Sequence, residues 1–73
     1  MVTIYIRLLD EGTDVTRPTK AEEIASGIFR VIQTPNYDPE DEHWEFPPGA
    51  IVRSEERQFA EGKILLAVER VQP

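Results

Sequence analysis

The sequence predicts an all-β domain, and three observations lead there. Apolar and polar residues alternate with period two, most clearly from Val2 to Leu9. The apolar positions are rich in the β-branched residues that suit a pleated surface. Turn-forming Gly, Pro and Asp residues separate the runs at short intervals.

In Val2 to Leu9, Val2, Ile4, Ile6 and Leu8 point one way, and Thr3, Tyr5, Arg7 and Leu9 the other. This is a strand with one buried face. Asp10-Glu11-Gly12-Thr13 is a turn in which Gly12 is free to take positive φ. Thr13 to Pro18 is extended, and Pro18 biases Arg17 away from the helical region. Pro18 also removes a ladder donor, so the strand bends there or runs along an edge.

Thr19 to Ser26 supports two readings. Thr19 and Glu22 match a capping box and Gly27 sits at a helix C-cap, giving a helix of about two turns. The favoured reading keeps the chain extended through Ala21 and Ile24. It then turns at Ala25-Ser26-Gly27 into a strand over Ile28–Ile32, which makes a hairpin of ordinary length.

Asn36 to Gly49, NYDPEDEHWEFPPG, carries five carboxylates and no Lys or Arg. It holds the only Trp and the only His, and removing its five charges would move the net charge from −6 to −1. Its prolines exclude a regular central strand, and its charge density argues for an exposed loop. Within it, Asp38-Pro39-Glu40-Asp41-Glu42 can start one helical turn, because Pro suits the first helical position and carboxylates suit the N-terminus. Pro48-Gly49 is a turn. Ala50 to Arg57 is a strand, Phe59 to Lys63 a hairpin connection, and Ile64 to Val71 a last strand with Ile64, Leu66 and Val68 on one face.

Five strongly bent strands in 73 residues close most economically into a small SH3-like barrel with one long acidic loop. Closure also removes the sheet edges that so short a chain can hardly cover. The alternative is an α+β arrangement, an open antiparallel sheet with one short helix at Thr19–Ser26. Either way residues 1–73 make a single domain.

Composition excludes several function classes. The absence of Cys rules out disulfides and thiolate zinc sites. The longest apolar run, Ile64 to Val68, falls far short of the roughly 20 residues a membrane-spanning helix needs. Met1 leads directly into a strand pattern instead of a secretory leader, which predicts a cytoplasmic protein. The acidic balance argues against broad contact with phosphate backbones or anionic membrane.

The chemistry-bearing candidates lie in the acidic segment. Tyr37, Trp44 and Phe46, ringed by Asp38, Glu40, Asp41, Glu42 and Glu45, form a set in which aromatic faces and carboxylates can hold a Lys or Arg of a basic protein partner. The competing reading folds Trp44 and Phe46 back to plug one barrel end, with Tyr37 anchoring the loop. Arg7, Arg17, Arg30 and Arg53 are the alternative set. On one face they would make a basic stripe for nucleic acid; as cross-strand Arg–Glu pairs they are structural. A metal or enzymatic role for the acidic loop is the third reading. It lacks the central Gly of a calcium loop and a second His. His43 stands without a nucleophile, and Ser26 and Ser54 lie outside any Gly-x-Ser-x-Gly context. No catalytic residue, metal ligand or cofactor is therefore assigned.

The segments YIRLLDEGTDVTRPTKA, NYDPEDEHWEFPPG and VRSEER resemble a group of short, uncharacterised bacterial proteins, and the likeness covers most of the chain. The resemblance implies a small SH3-like β-barrel in a bacterial, cytoplasmic setting. It implies no activity and no site residues.

Overall fold

A computed structural model describes residues 1–11, 15–60 and 62–71. Among them there is no helix, and six strands carry the fold: β1 (Val2–Leu9), β2 (Thr16–Ala25), β3 (Ile28–Val31), β4 (His43–Trp44), β5 (Ile51–Phe59) and β6 (Gly62–Arg70). The helix at Thr19–Ser26 is overturned. Thr19 faces the interior of β2 and its Oγ1 donates to the Ile32 carbonyl at 2.5 Å. Glu22, placed to cap a helix, instead pairs across the hairpin with Arg30. Tertiary pairing along the whole of β2 outweighs a two-turn helical preference that is marginal by itself.

The strands close into a ring, β1–β2–β3–β5–β6 and back to β1. All contacts in the ring are antiparallel except the seam, where β1 and β6 run parallel and meet at Tyr5 and Leu66. β2 is long because it serves two neighbours. Its first part, Thr16 to Ala21, pairs with β1, and its second part, Ala21 to Ala25, pairs with β3. Pro18 sits opposite Tyr5 within this bent strand. Gly27, at φ 76°, makes the tight β2–β3 turn, and its carbonyl accepts from the Ser54 N–H.

The alternation read from the sequence sets the core. Ile4, Ile6 and Leu8 of β1 point inward with Thr19 and Ala21 of β2, Phe29 and Val31 of β3, Val52 of β5 and Ala67 of β6. In β6 the expected single apolar face of Ile64, Leu66 and Val68 is broken. The β5–β6 register shifts between Arg53 and Ser54, so Glu69 pairs with Arg53 and Ala67 with Ser54, and Val68 is the extra residue. Such a bulge resets which side chains face inward. Ala67 joins the core, with Leu65 packed against it, while Leu66 is buried outside that cluster. The last hairpin is tighter than the Phe59–Lys63 connection, since Phe59 already pairs with Gly62. The first turn keeps Asp10 at φ 64°, a left-handed conformation that Asp tolerates better than most residues. Gly12 and Thr13 lie outside the described residues. No helix among those described is long and apolar enough to cross a membrane.

Candidate functional site: the acidic loop

The segment from Ile32 to Ala50 links β3 to β5, and its local chemistry explains each bend. Asp38 starts a single helical turn. Its carbonyl accepts from the Asp41 and Glu42 N–H groups, both at 3.0 Å, and its Oδ1 accepts from the Glu40 N–H at 2.9 Å. Pro39 occupies the position where a missing N–H costs nothing. The chain then straightens, and His43–Trp44 pairs with Leu9 and Leu8 of β1. The Glu45 N–H donates to the Arg7 carbonyl at 2.9 Å. This two-residue strand between prolines is a departure from a wholly irregular loop. Pro47 to Ala50 closes the segment as a β-turn, with Pro48 second and Gly49 third at φ 93°. The Gly49 N–H donates to the Val31 carbonyl, and the Val31 N–H donates to that of Ala50.

Trp44 and Phe46 belong to the core, at 5% and 6% exposure. Both rings turn into the core cluster, and a chain short of apolar mass gains about 1.5–3 kcal/mol from burying such a side chain. Their faces are therefore withdrawn from any exposed, cation-holding set. Tyr37 is half-buried, its ring 4.7 Å from that of Trp44 in an edge-on arrangement. It is the one aromatic of the loop left with part of its surface in solvent.

The five carboxylates divide into two groups. Glu42 accepts the Trp44 indole N–H at 3.0 Å and pairs with Arg17. The indole hydrogen bond first, and the Arg17 guanidinium second, hold its carboxyl below the usual carboxylate value. Glu45 lies 3.8 Å from Arg7. Glu42 fastens the loop to β2, while Glu45 holds to β1 through its backbone N–H and faces Arg7 without a hydrogen bond to its Oε1. Asp38, Glu40 and Asp41 are exposed, and no ion pair among the described residues involves them. Asp10 extends this outer group, since its Oδ2 lies 2.9 Å from His43 Nδ1. In the sequence Asp10 lies in a turn remote from this loop. Only the pairing of β1 with β4 brings it to the loop, and no local signal encodes that pairing.

The four arginines of the alternative site do not stand free. Arg7 faces Glu45, Arg17 pairs with Glu42, and Arg30 pairs with Glu22 at 2.5 Å. Arg53 takes both Glu55 and Glu69, and Glu55 also takes Arg57. Arg53 and then Arg57 hold the Glu55 carboxyl below its ordinary value. Arg30–Glu22 and Arg53–Glu69 are directly opposed across strands. No group of three or more His, Cys, Asp or Glu residues that could hold a metal ion occurs among the described residues. No family model, curated protein or solved structure matches the chain.

Proposed function

We propose that the protein is a cytoplasmic, non-enzymatic interaction module of the SH3-like barrel type, whose acidic loop binds a basic protein partner. The ring closed by a bent β2 shared between two neighbours supports the SH3-like assignment. One observation carries the binding reading. Glu42 and Glu45 are matched with arginines, whereas Asp38, Glu40 and Asp41 on the same loop meet no cation among the described residues. The unmatched charge is held on a loop fastened by the buried Trp44 and Phe46, so a partner meets a preformed surface and spends little on ordering it. The contact set is Tyr37, Asp38, Glu40 and Asp41, with Asp10 beside it. A Lys or Arg lies across the exposed part of the Tyr37 ring while the carboxylates take its charge. The carboxylate partners of Arg7, Arg17, Arg30 and Arg53 favour this reading over nucleic acid.

The test is binding of a fluorescein-labelled Lys/Arg-rich peptide, followed by anisotropy. Neither Glu40 nor Asp41 uses its carboxylate within the loop turn, so the pair Glu40→Gln and Asp41→Asn leaves the fold in place. We expect affinity that falls with added salt and falls at least fivefold in this variant, at an unchanged melting temperature. Equal affinity of the two proteins for the peptide overturns the proposal.

A further inference from the structure

The only histidine of the chain stands among the charges of the acidic loop. β4 fixes its direction. Trp44 pairs with Leu8 and both are buried, so His43 and its partner Leu9 turn outward. The His43 side chain is 56% exposed, and its Nδ1 lies 2.9 Å from Asp10 Oδ2. An ionised carboxylate only accepts hydrogen bonds, so Nδ1 carries the hydrogen here and Nε2 is the nitrogen that can take up a proton. A pair so open to water adds little to stability. Its consequence falls on whatever approaches the loop.

The charged groups around the ring leave it Asp10 as a partner. Glu42, one residue before it, turns to the opposite side, where the Trp44 indole and Arg17 hold it. Glu45 and Arg7 of β1 face each other at 3.8 Å, and their charges offset one another. Asp38, Glu40 and Asp41 on the loop turn are exposed, as is Glu11 beyond Asp10. None of these four takes part in an ion pair among the described residues. Between about pH 5.5 and 7.5 carboxylates as a class keep their charge, whereas an imidazole changes its own. The chain has no Cys and no second His, so this ring is the one side chain whose ordinary chemistry responds there.

We propose that His43 makes capture of the basic partner depend on pH: the acidic loop holds the partner near neutrality and releases it in mildly acid solution. The inference rests on the reading of this loop as a site for a basic protein. With the ring neutral, Asp10, Asp38, Glu40 and Asp41 all offer their charge to an incoming Lys or Arg. Once protonated, the ring is a cation held against Asp10. It occupies that carboxylate and repels the partner's cation at the same time. The loop cannot relieve the repulsion by moving away, because β4 and the buried Trp44 fix the position of His43. Glu42 does not compensate, since its carboxylate is already engaged on the other side. The effect on binding is therefore opposite to the effect on the pair itself, which protonation strengthens.

The test is fluorescence anisotropy of a Lys/Arg-rich peptide free of His, Asp and Glu, carrying a rhodamine label whose charge is constant over the range. Binding is measured at about pH 7.5 and about pH 5.5, at one ionic strength. The parent protein is expected to bind at least threefold more tightly at the higher pH. His43→Gln, which keeps every other titrating group, should bind equally at both. His43→Arg, a permanent cation, should bind at both as weakly as the parent does at the lower pH. The melting temperatures of the two variants should match the parent's at each pH, because the side chain is exposed. By linkage, NMR should show the His43 ring taking up its proton at lower pH in the complex than in the free protein. Parent affinity that is equal at the two pH values overturns this proposal and leaves the acidic-loop site standing. A pH dependence that survives in His43→Gln overturns it too, since another group then carries the effect. No binding at either pH overturns both readings.

Discussion

Glu42 shows how a single side chain on this loop serves structure and not recognition. It is tied by the Trp44 indole and by Arg17, and both partners favour its ionised form. Its carboxyl therefore titrates lower in the folded protein than in the unfolded chain, whose value is near 4.5. The sign follows from linkage. The ionised carboxylate contributes its full stabilisation above that unfolded value, and the contribution is lost as pH falls through the lower, folded one. Glu42→Gln should thus lower the melting temperature at neutral pH, and the gap from the parent protein should close as the solution is acidified below about 4.5. Melting curves from neutral to strongly acidic pH measure that gap. A gap that stays constant to the acid end would remove the charge of Glu42 from the account. The sequence shows Glu42 as one acid among five. Its distinct role depends on Arg17, 25 residues away, which no local pattern connects to it.

At the scale of elements, legibility tracked the range of the interactions. β1 was readable because its burial follows its own alternation, Ile4, Ile6 and Leu8 inward. The turn at Asp38-Pro39 and the one at Pro48-Gly49 were readable because their hydrogen bonds join residues two to four apart. The Thr19–Ser26 segment carries conflicting local signals, and extension is favoured because the turn and the strand over Ile28–Ile32 then make a hairpin of ordinary length. The observed pairing of Ala21 with Val31 and Glu22 with Arg30 is that hairpin. β4 is not legible in the sequence, since two residues carry no periodicity and their partners, Leu8 and Leu9, lie far back along the chain. The bulge at Val68 was missed for the same reason, being a property of two strands together. The orientation of Trp44 follows from β4, and with it a prediction. Trp44→Ala should cost about 3–5 kcal/mol, the usual range for removing a large buried aromatic. For a domain of this length that is a large part of its total stability. Chemical denaturation monitored by circular dichroism measures it. A loss under about 1 kcal/mol would place the ring outside the core and return it to the loop's exposed surface.

For the whole molecule, the question is whether the ring behaves as one unit or opens at its seam. The seam is the weakest closure by hydrogen bonding, a parallel contact at Tyr5 and Leu66, while β5 and β6 pair along eight residue couples. Counting ladder bonds alone, β6 would swing away from β1 and leave the rest folded. Burial argues the opposite. Parting β1 from β6 exposes Leu66 and Ala67 on one side and the inward row of β1 on the other, and each large apolar side chain so exposed costs about 1.5–3 kcal/mol. A few such residues amount to the modest stability of a chain this short, so opening the seam costs nearly as much as unfolding the domain. β1 deepens the coupling, because it also carries β2 and β4. The backbone amides at Ile4, Ile6, Leu66 and Ala67 should therefore exchange with deuterium at rates set by one common opening. Those of Arg57 to Ala60 and of Lys63 in the outer hairpin should exchange faster, since these residues are exposed and can part from their partners without disturbing the core. Hydrogen exchange followed by NMR in rising denaturant separates the two classes. If Leu66 and Ala67 exchange through an opening at least 2 kcal/mol below that of Ile4 and Ile6, the seam opens by itself, and apolar burial across it is not what closes the ring.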